Sequence, residues 1–356
     1  DSIDTEATLT ASTVTVSGTA DLGGDVTTTG EQQYGGAVTL TGDVLLTGVD
    51  TDANGAGVEF AGTVTGGGND LTIMGGGLFA AAVSGVGAFA ADTIDTESTL
   101  DASTVTVTGA AEIGGDVTTT GDQEYGGAVT LTADVTFTGV DLDMDGAGVE
   151  FSQLVDGGGN GLAVAGGAAF DNGIVNVSSL TVIGATTIAG DVTTTGQQVY
   201  DGPVTLAANV VLTGVDTDAD GEGVEFGSTL AGGGNTLTIV GGGAFAGAVS
   251  GVTTFLADSI DTESTLSAAT VTVTGAAELS GDVTTTGLQS WGGAVTISGD
   301  TELDSSAGGG NITFAADVSG DALLTVTAGT GDVSFQSTIG GVTPLSGLVL
   351  TANSVD

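Results

Sequence analysis

The chain has 356 residues, 45 of them acidic and none Lys, Arg, His or Cys, which gives a formal charge of −45. Without cations it cannot neutralise phosphates, so nucleic-acid binding is excluded, and anionic membrane surfaces repel it. No apolar run is long enough for membrane insertion, thiolate metal sites and disulfides are ruled out, and a hydrophobic content of 40% argues for a packed core over disorder.

In chain order, short Val- and Thr-rich runs separated by Gly, Asp or Asn predict strands at Thr13-Val-Thr-Val16, Val38-Thr-Leu40, Val44-Leu-Leu46, Val58-Glu-Phe60 and Leu71-Thr-Ile73. Helix signals are nearly absent. A cassette, Gly-Asp-Val-Thr-Thr-Thr-Gly, occurs at Gly24–Gly30, Gly115–Gly121, Gly190–Gly196 and Gly281–Gly287. An aromatic residue and a further strand follow each copy, at Tyr34, Tyr125, Tyr200 and Trp291. The first and last intervals between copies are equal, and the middle one, from Gly115 to Gly190, is shorter. A block lost without disturbing its surroundings is one self-contained layer of roughly 16–20 residues. This predicts an all-β parallel β-solenoid (β-helix) of four imperfect repeats, approximately 1–91, 92–170, 171–257 and 258–356, in one continuous solenoid over 1–356. At about 4.8 Å per coil, around 20 coils make a rod of roughly 95 Å, with the four cassettes on one face. Tandem sandwiches are the other all-β reading and require longer strands.

Val26-Thr-Thr-Thr-Gly30 with Gln33-Tyr34-Gly-Gly-Ala-Val-Thr-Leu40, Gly308-Gly-Gly-Asn-Ile-Thr-Phe314 and Gly331-Asp-Val-Ser-Phe335 carry a resemblance. The chain resembles the β-strand-repeat regions of giant bacterial surface and secreted proteins, including filamentous-haemagglutinin-like adhesins. The resemblance covers nearly the whole sequence. It implies a right-handed solenoid at the cell exterior, used for adhesion or scaffolding. The chain departs from that family in lacking any basic residue. The absence of Lys and Arg also removes every trypsin-type cleavage site, which suits an exposed surface and equally suits a saline habitat.

The acidic turns carry the strongest chemical signal. Asp50, Asp52 and Asn54, then Asp141, Asp143 and Asp145, then Asp216, Asp218 and Asp220 each place side-chain oxygens at alternate positions before a Gly. This matches the first half of a calcium loop, with the next carbonyl (Ala56, Ala147, Glu222) as a further ligand. The bidentate Glu of a helical calcium loop is missing, so Ca2+ affinity depends on a ligand from a neighbouring coil. The alternative is a solvated acidic corner. Asp300, Glu302 and Asp304 lack the closing Gly.

The Gly-Gly-Gly-Asn runs ending at Asn69, Asn160 and Asn235 read as turns more than as calcium nonapeptides. The four in-phase aromatics either bind glycan rings or cover a coil edge. The Thr runs follow β-propensity, with a flat threonine face as the alternative. Without His, Cys or Lys the usual nucleophile–base pairs cannot be built, so an enzyme is not expected. Asp1-Ser-Ile-Asp4 and Asn353-Ser-Val-Asp356 share the phase of Asp92-Thr-Ile-Asp95. The expected partner is therefore another copy of the chain, stacked head to tail, or a continuation of a longer solenoid. The expected role is an extracellular structural protein forming a filament or surface layer. An adhesin stalk or glycan-binding module of a larger surface protein is the alternative.

Overall fold

The computed structural model describes residues 1–144, 146–217 and 221–356. It has 49 strands among them, mostly of three or four residues, and every described pairing is parallel. Each strand pairs with the one about three further along the chain, so three strands close one coil. Hairpins and the tandem-sandwich alternative are absent among the described residues, and the fold is a parallel β-solenoid. The chain divides into two compact units, Asp1–Ser178 with Val182–Gly184, and Ser179–Thr181 with Ala185–Asp356. Each is built the same way.

Short strands of the form Val-Thr-Val follow from the period-2 rule: outer residues point in, the middle one out. Val14–Val16, Val26–Thr28 and Val38–Leu40 all read buried, exposed, buried. The interior is therefore filled by stacked Val, Leu, Ile and Phe. Coil lengths vary. The coil from Leu100 to its partner Val117 is short, whereas the coil from Val38 to its partner Val64 is long because it carries an excursion. The block absent from the shorter cassette interval corresponds to one short coil.

In the first unit Val83–Ala91 and Leu100–Val107 are long strands that turn a corner without leaving the ladder. Val83 pairs with Val64 and Phe89 with Leu71, which lie on two different sides. A register shift between Val83 and Val86, with Gly85 at φ +62, makes the bend. The second unit repeats this at Val249–Ala257, with Gly251 at φ +68. In the shortened repeat Asn176 takes the corresponding place at φ +55, Asn being a non-glycine residue that tolerates the left-handed region.

These merged strands overturn one expectation. Val26 aligns through Leu46, Ile73, Ala91 and Val107 with Tyr125. The second cassette's Val117 instead lies on the column of Val38, Val64, Val83 and Leu100. The second unit does the same: Val192 leads to Trp291, while Val283 lies below Val204. Within each unit, successive cassettes therefore occupy different faces. The long repeat winds a non-integral number of coils, because its strand segments do not divide into sets of three once each merged strand counts twice.

The aromatics are interior. Tyr34, Phe60 and Phe79 stack at 5.2 and 4.9 Å, Tyr125, Phe151 and Phe170 at 5.3 and 5.4 Å, and Tyr200, Phe226 and Phe245 at 5.4 and 4.9 Å. Trp291 heads the fourth column above Phe314 and Phe335. Such stacks contribute about 0.5–1.5 kcal/mol per pair beyond area burial. All four lead aromatics are buried, so a glycan surface cannot be built on them. The Thr runs form no flat face either, since Thr27 points out and Thr28 points in, where its hydroxyl donates to the Gly30 carbonyl.

Candidate functional site

The acidic turns lie on excursions from the coil. The first leaves at Gly48 and returns at Gly57, and the two glycines meet so closely that a Cβ on Gly48 would lie 2.1 Å from the Gly57 oxygen. Gly139 with Gly148, and Gly214 with Gly223, form the same neck. Only paired glycines allow the two backbones to approach like this, so the neck fixes where each loop projects. The three loops interrupt otherwise compact coils, and each carries an acidic run.

Inside the first loop, Asp50 folds the backbone around itself. Its Oδ1 accepts the N–H groups of Asp52 and Ala53 at 3.1 and 2.7 Å, and its Oδ2 accepts that of Gly55 at 2.9 Å. These donors, the Gly55 N–H foremost, hold the Asp50 carboxyl below the usual carboxylate range. Asp141 repeats the pattern with Met144 and Gly146, at 2.6 and 2.9 Å. Asp216 accepts the Gly221 N–H at 3.1 Å. Ala53 and Met144 have matching left-handed backbones, φ +65 and +67.

The loop carboxylates do not stand alone. Oxygens of Asp50 and Asp52 lie within 4.8 Å of each other and of one from Glu31, which belongs to the preceding coil. Asp141 and Asp143 meet Asp122 in the same way. Glu31 also accepts the Thr51 N–H at 3.1 Å and Asp122 the Leu142 N–H at 2.9 Å, so each is tied across coils to the loop it serves. Glu31 and Asp122 were not among the ligands expected from the sequence. Their signal was positional: each immediately follows the closing glycine of a cassette.

Asn54, an expected ligand, makes hydrogen bonds on both sides of its amide. Its Oδ1 accepts the Ala56 N–H at 2.9 Å, and its Nδ2 donates to Glu59 at 2.7 Å. Asp145, Asp218 and Asp220 lie outside the described residues. In the third repeat Gln197 stands where the first two have an acid. Its Oε1 accepts the Thr217 hydroxyl at 2.9 Å and its Nε2 donates to Glu225 at 2.8 Å.

Three carboxylates at this spacing form a hard-oxygen donor set suited to a divalent cation. Each carboxylate has about four acceptor positions, so the N–H bonds do not exhaust them. Two clusters of this kind occur among the described residues.

Several other carboxylates have a different job. Asp25, Asp116, Asp191 and Asp282 of the four cassettes accept the N–H of Leu45, Thr136, Val211 and Glu302, each one coil on, at 2.8–3.0 Å. Asp43, Asp134, Asn209 and Asp300 do the same for Asp70, Gly161, Thr236 and Leu323. The Gly-Gly-Gly-Asn runs are corners, as expected. Asn69, Asn160 and Asn235 donate back to the carbonyls of Leu40, Leu131 and Leu206 on the preceding coil.

No helix among the described residues is long and apolar enough to cross a membrane. The fold and the loops together define a repeat protein of the parallel β-solenoid class with acidic excursions. No protein-family model matches the chain, and no curated protein or solved structure matches it at a significant level.

Proposed function

We propose that the chain is a structural solenoid of an extracellular filament or surface layer, with calcium held at its excursion loops. The observation that carries the calcium reading is the cluster of carboxylates from two coils, formed twice with the same geometry, at Glu31–Asp50–Asp52 and Asp122–Asp141–Asp143. A cation there ties one coil to the next and relieves like-charge repulsion that no Lys or Arg offsets. Calcium suits such a flexible, exposed oxygen set better than magnesium, which demands near-ideal octahedral geometry. The third loop, with Gln197 in place of the acid, binds more weakly.

Titration calorimetry and thermal melting of chelator-treated protein test this reading. Saturating calcium at about 100 times Kd stabilises a native state by about 2.7 kcal/mol per site. Asp52→Asn with Asp143→Asn removes most of the response, and magnesium elicits less. No heat and no melting shift at millimolar calcium would refute it.

The filament reading rests on the parallel ladder: a coil of a second copy, or of a longer solenoid, pairs by the same hydrogen bonds as the coils within each unit. The right-handed winding and exterior location belong to the family resemblance. Repulsion at −45 per chain makes association favour added salt or calcium. Electron micrographs of calcium-loaded protein showing uniform fibres support this reading. Isolated rods at high concentration would favour an adhesin stalk.

A further inference from the structure

The chain contains three Asn-Gly steps, Asn54-Gly55, Asn160-Gly161 and Asn172-Gly173. In this pair the glycine has no side chain to shield its nitrogen from the asparagine Cγ. The three sites are held very differently. Asn160 Nδ2 is pinned by two carbonyls, Leu131 and Gly157, both at 3.0 Å, within a corner. Asn172 Nδ2 donates to the Ser152 carbonyl at 3.3 Å and to Gln153 at 3.1 Å. Only at Asn54, among the described residues, does a backbone N–H bind the side-chain oxygen of such an asparagine, that of Ala56 at 2.9 Å.

The remaining atoms at Asn54 fit the same chemistry. Its Nδ2 donates to Glu59 Oε1 at 2.7 Å, which holds the leaving nitrogen in place. The Gly55 N–H donates to Asp50 Oδ2 at 2.9 Å, which fixes the plane of the attacking peptide. Gly55 has φ +92 and nothing within 4 Å of where a Cβ would stand, so water reaches the site. An N–H on the carbonyl oxygen stabilises the negative charge that grows there when the carbon is attacked.

We propose that Asn54 is a self-modifying site: the Gly55 nitrogen closes on Asn54 Cγ to form a succinimide, and water opens it to a carboxylate at position 54. The bond formed is N–Cγ and the bond broken is Cγ–Nδ2. The Gly55 amide proton passes to water, and a proton from water completes ammonia as Nδ2 departs. A second water adds to either ring carbonyl, leaving an aspartyl or isoaspartyl residue. No oxidant or reductant takes part. The aspartyl product gives the first loop the sequence that residues 216–221 already have, Asp-Thr-Asp-Ala-Asp-Gly. The reaction is independent of the calcium reading. A fifth-position carboxylate would add to the cation-binding set if that reading holds.

The folded chain is incubated at neutral pH with chelator, digested with proteases that cut at Asp and Glu, and mapped by mass spectrometry. Asn54 is expected to convert at least about tenfold faster than Asn172 or Asn160, the gain of a positioned electrophile. In urea the three sites converge to similar rates. Aged wild-type protein develops an acidic form on ion exchange that co-elutes with fresh Asn54→Asp and is missing from aged Asn54→Gln. The proposal is overturned if Asn54 converts no faster than the exposed Asn172, if the same order persists in urea, or if the acidic form also appears in Asn54→Gln.

Discussion

Replacing Tyr125 with Phe tests how the solenoid interior tolerates polar groups. Tyr125 and Gln123 are both fully buried. The tyrosine hydroxyl donates to Gln123 Oε1 at 3.2 Å. The glutamine Nε2 donates to the Thr138 carbonyl at 2.9 Å and to the Val117 carbonyl and Thr119 hydroxyl at 3.2 Å. Those two carbonyls fix the orientation of the amide, since flipping it would set Oε1 against them. Phe retains the ring, and with it the stack on Phe151, so only the hydroxyl is lost. Gln123 Oε1 is then buried without a donor, at a cost of about 1–3 kcal/mol.

A long repeat array need not unfold in one step, so a single melting midpoint is a poor reporter. Hydrogen exchange of the amides around Val117–Thr119 and Gln123–Tyr125 reads the loss locally. It should accelerate by about 5- to 150-fold. Tyr34→Phe and Tyr200→Phe should behave alike, because Gln32 and Gln198 accept their tyrosine hydroxyl and donate to the two corresponding carbonyls. The fourth repeat is a natural contrast: Trp291 replaces the tyrosine, and both its Nε1 and Gln289 Oε1 lack a partner. Trp291→Phe therefore loses ring volume but no hydrogen bond. Unchanged exchange in Tyr125→Phe would show that the hydroxyl does not sustain the buried amide.

Gly139→Ala drives a methyl to 2.1 Å from the Gly148 oxygen, so the neck must open. The expected result is loss of the calcium response from the second loop with the first intact, so that calorimetry of Gly139→Ala matches that of Asp143→Asn. On acidification two regions should respond in opposite directions. Asp317 is held below the usual carboxylate range by Ser337 and Thr338, and Asp332 by Ser354 and Asn353. Their stabilisation is complete above the ordinary value near 4 and is lost as pH falls through their lower folded values. Asp95 is raised, by burial first and then by Glu112 and Glu97, so it opposes folding when ionised and that penalty is relieved as pH falls through its folded value. Carboxylate titration by NMR from neutral pH down to about pH 2 checks the order, Asp95 protonating first and Asp317 and Asp332 last.

The architecture was legible because its signals are local. The Val-Thr-Val alternation and the in-phase loss of one coil between the second and third cassettes need no long-range information. The face rotation was not legible: it arises from Val83–Ala91, where one strand serves two sides, and nothing in its composition announces a bend except its two glycines, of which Gly85 takes the positive φ. The Glu31 and Asp122 contributions were hidden for a related reason. Both stand at the same place, just after a cassette's closing glycine, but coil length varies, short between Leu100 and Val117 and long between Val38 and Val64, so the sequence does not say which residue of the neighbouring coil faces the turn. The buried glutamines were missed because their polarity reads as surface. Only the pairing with Tyr34, Tyr125 and Tyr200 inside the coil reverses that.

Part of the acidic composition follows from the corners. A parallel coil interrupts its ladder at each turn and leaves N–H groups that need acceptors. An ionised carboxylate is an acceptor only, whereas Lys and Arg offer donors alone. Asp25, Asp116, Asp191 and Asp282 accept such an N–H one coil away, singly and at the same step of every repeat. Part of the charge is thus corner chemistry, and acidity as such does not mark a binding site. What sets the excursions apart is convergence. At Glu31, Asp50 and Asp52, and again at Asp122, Asp141 and Asp143, three carboxylates from two coils meet within 4.8 Å. In the first cluster each acid also has its own N–H partner, Thr51 for Glu31, Gly55 for Asp50 and Asn54 for Asp52, so hydrogen bonding accounts for the acids one by one but not for their convergence, which suits a divalent cation.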